Sequence, residues 1–109
     1  MAKKEREVKV HPEFDKSLYE NYQYLKQESP QFAAEFKDEL IAQMERIIEH
    51  PLAYPKEEAI PGKRGIYRYS VYKKSWKIIY KVLDSSLVFL KLFHVKQNPK
   101  RIYEVKKYK

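Results

Sequence analysis

The hydrophobic period of this chain changes once, from helical to strand spacing, and the change falls at one segment rich in proline and glycine. Before residue 51, Phe14, Leu18, Tyr22 and Leu25 recur at intervals of 4, 4 and 3, and Phe32, Phe36, Leu40, Met44, Ile47 and Ile48 form a longer stripe. Each set makes one apolar face of an amphipathic helix. After residue 65 apolar and polar residues alternate, as in strands with one buried face. The segment between, with Pro51, Pro55, Pro61, Gly62 and Gly65, suits neither period and is expected to be an irregular loop.

Local signals sharpen the boundaries. Val8 and Val10 alternate with charged neighbours and read as a short first strand, which His11-Pro12 ends. Pro12 fits the first turn of a helix, and Ser29-Pro30 starts a second helix with Ser29 as N-cap. His50-Pro51 stops that helix. Lys73-Lys74-Ser75 and Asp84-Ser85-Ser86 read as turns between strands, and Leu87 to Val95 is nearly all apolar, as in a central strand covered on both sides. The expected fold is α+β: an N-terminal strand, an antiparallel two-helix hairpin packed on a twisted antiparallel sheet, and a short C-terminal segment. Residues 1–109 then form a single domain.

Strand parity also sorts the charges. Tyr67, Tyr69 and Val71 share one face, opposite Arg68, Ser70 and Tyr72; Trp76, Ile78, Tyr80 and Val82 share another, opposite Lys77, Ile79 and Lys81. With Tyr69, Val71, Ile78, Tyr80, Leu90 and Leu92 turned to the helices, Arg68, Lys77, Lys81 and Lys91 are expected on the open face. Lys63 and Arg64 in the loop, with the basic C-terminal tail, would extend one positive surface. Tyr72 and Phe89 would lie among these cations as stacking faces for bases. A docked peptide suits such a surface as well.

Composition limits the chemistry. The chain has no cysteine, which excludes disulfides, thiolate metal sites and cysteine nucleophiles. His11, His50 and His94 are scattered without ligand spacing, so neither metal nor cofactor is expected. No apolar run approaches a membrane span, and the charged start lacks a secretory pattern, so a cytoplasmic protein is expected. Residues 1–50 carry 8 Lys and Arg against 11 Asp and Glu, whereas residues 51–109 carry 15 against 4. A basic half of this kind implies a polyanionic partner, nucleic acid or acidic protein.

Several strings resemble the RelE/ParE family of toxins from type II toxin–antitoxin systems. Lys77-Ile78-Ile79-Tyr80-Lys81-Val82-Leu83-Asp84 is similar to the family's third strand. Leu92-Phe93-His94-Val95-Lys96-Gln97-Asn98-Pro99 resembles the end of its last strand, and Ser29-Pro30 with Phe32, Ala33 and Phe36 the start of its second helix. The likeness runs over roughly residues 8–105. It implies a growth-arresting, plasmid-stabilising toxin neutralised by a cognate antitoxin.

Two targets follow from the resemblance. In a RelE-like mRNA interferase, sheet cations stabilise phosphate charge and a tyrosine serves the attacking 2′-OH; Arg68, Lys77 and Tyr103 match that catalytic pattern. Ser70 and Gln97 stand where such an enzyme has lysine and arginine, with Lys96 or Lys100 as substitutes. The ending His94…Asn98-Pro99 and the incomplete set instead favour a ParE-like inhibitor of DNA gyrase, which needs no catalysis. Lys63, Arg64, Lys81, Lys96, Lys100 and Arg101 are then the expected target-binding residues. Each has a plainer alternative: Tyr103 packing on the sheet, His94 as a satisfied core histidine, Arg68 and Lys77 as solvated strand positions. Trp76 is expected in the core or at a sheet edge, and Glu57-Glu58 on the surface. The gyrase inhibitor is the leading expectation and the ribosome-dependent endoribonuclease its alternative.

Overall fold

The computed structural model describes residues 5–58, 60, 66–96, 102 and 104–108. Strand β1 (Glu7–Val10) leads into helices α1 (Pro12–Glu28) and α2 (Pro30–Glu49), followed by strands β2 (Tyr67–Tyr72), β3 (Trp76–Val82) and β4 (Ser86–His94) and a 3₁₀ turn at Glu104–Lys107. The boundary residues behave as their chemistry requires. The ring Nδ1 of His11 accepts the N–H of Glu13, and Ser29 Oγ accepts that of Phe32, each satisfying an otherwise unpaired donor of a first helical turn. Ser29 alone separates the helices, in an extended conformation that reverses the chain.

The sheet order is β1-β4-β3-β2. The last three strands form the expected antiparallel meander, and β1 joins β4 in parallel, so the whole sheet is mixed. Strand β1 ends at Val10 and leaves the N–H of Leu92 without a strand neighbour. Ser17 of α1 supplies the acceptor at 2.9 Å, while its own hydroxyl donates to the carbonyl of Phe14. Asn21, one turn later, accepts the indole N–H of Trp76 at 3.0 Å, which ties the helix to the meander. Trp76 is thus a core residue.

Two apolar layers result. Phe14, Phe36, Leu40, Ile47, Ile78, Tyr80, Phe89 and Leu92 fill the space between helices and sheet. Ile60, Ile79, Leu90, Phe93, Ile102 and Val105 form a second cluster on the opposite face. Strand β4 is therefore covered on both sides, as its apolar run requires. The same cover means that the far face is not an open cationic surface. In the helix stripe Ile48 departs from expectation, being exposed near the end of α2.

Candidate functional site

The face assignment of β2 is the reverse of the expected one. Cross-strand partners share a face, and Arg68 pairs with Tyr80, Ser70 with Ile78 and Tyr72 with Trp76, all on the helix side. Tyr69 and Val71 pair with Ile79 and Lys77 on the far side. Ser70 is buried and joined to Gln43 of α2, and the Tyr72 hydroxyl donates to Glu39 at 2.9 Å. Burial, with the Glu39 carboxylate beside it, pushes the Tyr72 phenol well above its ordinary range. Phe89 lies in the helix-side core with Phe14 and Tyr80. Neither Tyr72 nor Phe89 is thus a stacking face among cations.

Arg68 serves the loop that follows α2. Its Nη1 donates to the carbonyl of Tyr54 at 2.6 Å and reaches that of Leu52 at 3.4 Å, while its Nε is buried without a hydrogen-bond partner among the described residues. Beside it the Tyr80 hydroxyl donates to the carbonyl of Pro51 at 2.6 Å, and burial raises that phenol's pKa. The carbonyls of Pro51, Leu52 and Tyr54 follow α2 in irregular chain and need donors, which the half-buried guanidinium of Arg68 and the buried Tyr80 hydroxyl supply. These two side chains hold segment 51–54 against the sheet.

Lys77 projects from the other face and is neutralised there. Its ammonium lies 3.1 Å from Glu57 Oε2 and 4.2 Å from the ring centre of Tyr69. Glu57 was expected on the surface, yet it is only 5% exposed. Its position follows from the loop pairing with the free edge of β2: Glu57 N–H bonds Tyr67 O, Tyr69 N–H bonds Pro55 O, and Lys56 bridges Arg68. Nothing periodic marks this stretch, so the sequence carried no signal for the ion pair. Arg68 and Lys77, paired in the expected catalytic set, are thus on opposite faces with different partners.

The other cations divide further. Lys91 is 7% exposed, at an irregularity where β4 carries the extra residue Leu90 between the partners of Ile79 and Tyr80. It borders a small polar pocket with Glu13, Lys16, Glu20 and Asn21 and is not displayed on a face. Lys81 is half-buried on the far face, opposite Tyr67 and Val88. Lys96 is exposed in the turn after β4, where its backbone N–H donates to His94 Nδ1 at 3.1 Å. His94 packs edge-on against Trp76 with ring centres 5.0 Å apart, a half-buried structural histidine. Burial, then the charge of Lys96, lowers its pKa below the usual imidazole value. Lys63, Arg64, Gln97, Lys100, Arg101 and Tyr103 lie outside the described residues.

No group of three or more His, Asp or Glu among the described residues could hold a metal ion, and no described helix is long and apolar enough to cross a membrane. The polar groups of the described site are engaged within the fold: Arg68, Tyr80 and Lys77 hold loop 51–57, and Ser70 and Tyr72 hold α2 to the sheet. The profile of the family described as ParE toxin of type II toxin-antitoxin system, parDE, matches residues 8–99. No curated protein matches the chain. Among solved structures, one described as "Chromosomal ParDE TA system from P. aeruginosa" is similar in fold, with a TM-score of 0.69 at 11% sequence identity. The superposition covers 86% of this chain and all of that one.

Proposed function

Since this chain belongs to the ParE toxin family of type II toxin–antitoxin systems, we propose that it arrests bacterial growth by binding DNA gyrase, without a catalytic step of its own. A toxin of this class has a cognate antitoxin as its partner, and the antitoxin would neutralise it by covering the target-binding surface.

The observation that carries the gyrase reading is the dispersal of the cations an RNA-cleaving member would need. Phosphoryl transfer requires charges converging on the oxygens where negative charge develops. Here the Arg68 guanidinium is directed to the carbonyls of Tyr54 and Leu52, and the Lys77 ammonium is matched by buried Glu57. Ser70, in a position where a ribonuclease member has lysine, is buried against Gln43. A binding inhibitor needs no such convergence. It needs a stable scaffold and an exposed surface, and the basic C-terminal half supplies a surface attractive to an acidic protein or to the DNA that gyrase holds.

The test is induced expression in bacteria, scored together with purified-gyrase assays. The expected result is growth arrest with double-strand DNA breaks, loss of supercoiling activity in vitro, and intact ribosome-bound mRNA. Arrest with cleaved mRNA and unaffected gyrase would overturn the proposal and favour the endoribonuclease.

A further inference from the structure

One row of residues crosses the whole sheet on the face away from the helices. Lys9 of β1 pairs with Val88 of β4, Val88 with Lys81 of β3, and Lys81 with Tyr67 of β2. Neighbouring strands lie about 4.8 Å apart, so the two lysine backbones are separated by roughly 10 Å with one valine between them. Their flexible arms can converge on a single group above Val88.

The row borders a cleft of about 320 Å³, closed by Leu90 and Val105 and by the rings of His11 and Tyr108. Those rings stack on each other, with centres 4.6 Å apart and planes 20° from parallel. Among the described residues the cleft's charged lining is Lys9 and Lys81, with no carboxylate. This sets them apart from Lys73 and Lys77, whose ammoniums are held by Glu39 and Glu57. Among the described residues no carboxylate pairs with either Lys9 or Lys81. Two unmatched ammoniums flanking an apolar floor favour an anion between them, because a shared oxyanion relieves their mutual repulsion and accepts charge-assisted hydrogen bonds.

Size and lining narrow the occupant. The volume is at the lower end for small-molecule sites, which fits one planar heterocycle with a phosphate and excludes a large cofactor. Aromatic walls favour a flat π-system over an aliphatic chain. We propose that this cleft binds a nucleotide, its phosphate held between Lys9 and Lys81 and its base against Tyr67 and Tyr108. The site is independent of the gyrase reading and stands whether or not that reading holds. Free nucleotide and a nucleotide of single-stranded DNA share this chemistry, and they differ in how binding responds to strand length and salt.

The experiment is a titration of the isotopically labelled full chain, followed by amide NMR, with adenosine monophosphate, inorganic phosphate and a short oligodeoxyadenylate. Adenosine monophosphate is expected to give saturable shifts at Lys9, Tyr67, Lys81, Val88 and Tyr108, and phosphate alone to bind about tenfold more weakly. The double variant Lys9→Gln/Lys81→Gln should keep a dispersed spectrum and lose about tenfold or more in affinity for adenosine monophosphate. Tyr108→Leu should weaken adenosine monophosphate and leave phosphate binding unchanged. Tighter, salt-dependent oligonucleotide binding at the same amides identifies a strand as the source; equal affinity identifies the free nucleotide. Absence of saturable shifts at these residues, or unchanged affinity in the double variant, overturns the site. Equal affinity for phosphate and adenosine monophosphate overturns the nucleotide assignment.

Discussion

The ammonium of Lys77 and the carboxylate of Glu57 lie 3.1 Å apart, joined across 20 residues of sequence where the loop after α2 closes on β2. The Glu57 side chain is 4% exposed and that of Lys77 25%, so removing one partner leaves the other poorly solvated. Glu57→Ala is expected to cost about 2–3 kcal/mol, below the full penalty for a wholly buried pair because Lys77 retains some water contact. Glu57→Leu combined with Lys77→Met should recover most of that loss, since an apolar pair leaves no buried charge. Urea unfolding of the single and double variants checks both outcomes. A Glu57→Ala protein as stable as the parent would show that the pair holds nothing.

Arg68 separates a scaffold role from a catalytic one. If its function is to hold the carbonyls of Leu52 and Tyr54, Arg68→Lys keeps the charge but loses the planar fork. The expected cost is about 1–2 kcal/mol, read as a lower urea midpoint. Growth arrest should fall only in proportion to the folded fraction. Complete loss of arrest from a fully folded Arg68→Lys protein would return Arg68 to the chemistry.

The comparison of sequence with structure turns on the same residues. Helix and strand positions were legible because the 3.6- and 2-residue periods are long and the Ser29-Pro30 and His50-Pro51 signals are local. The face of β2 was not. Tyr67 and Tyr69 look like core residues, whereas Arg68 and Ser70 look like solvent-facing ones, yet loop carbonyls and Gln43 satisfy the polar pair inside. The extra residue at Leu90 likewise breaks the alternation: Leu90, expected toward the helices, lies in the far-face cluster, and Phe89 lies in the helix-side core. Glu57 gave no warning, because its burial follows from loop pairing that no periodicity announces. Which cations are displayed and which have carboxylate partners depended on these tertiary contacts as well: Lys91 is buried, and Lys77 is matched by Glu57.

His94 makes stability depend on pH. Burial first, and Lys96 second, hold its folded-state pKa below the unfolded value, and its Nδ1 is the acceptor of the Lys96 N–H. A depressed pKa means the unfolded chain binds the proton more readily, so stability rises with pH through this window. Its contribution is full above the ordinary imidazole pKa of about 6.5 and is lost as pH falls through the folded pKa. Melting temperatures from pH 7.5 down to pH 5 should fall more steeply for the parent than for His94→Gln. Parallel curves would assign the acid sensitivity to other groups.

The β2–β3 turn carries strain in a place where it can be relieved without touching a contact. Lys73 and Lys74 have φ of 50° and 61°, and the Ser75 N–H bonds the Tyr72 carbonyl at 3.3 Å. Two consecutive positive φ values are favoured in tight hairpin turns because their twist matches the strands, but a side chain with a Cβ holds this conformation at a cost of about 1 kcal/mol. Lys73 recovers part of that cost through Glu39 at 2.9 Å and the nearby Phe32 and Tyr72 rings. Lys74 is exposed and makes no such contact among the described residues. Lys74→Gly should therefore raise stability by up to about 1 kcal/mol, despite the greater freedom glycine gives the unfolded chain. Lys73→Gly should gain less or lose stability, because it also removes the ion pair with Glu39. Thermal melts of the two variants side by side give the order directly, and a less stable Lys74→Gly protein would mean that the turn is not strained.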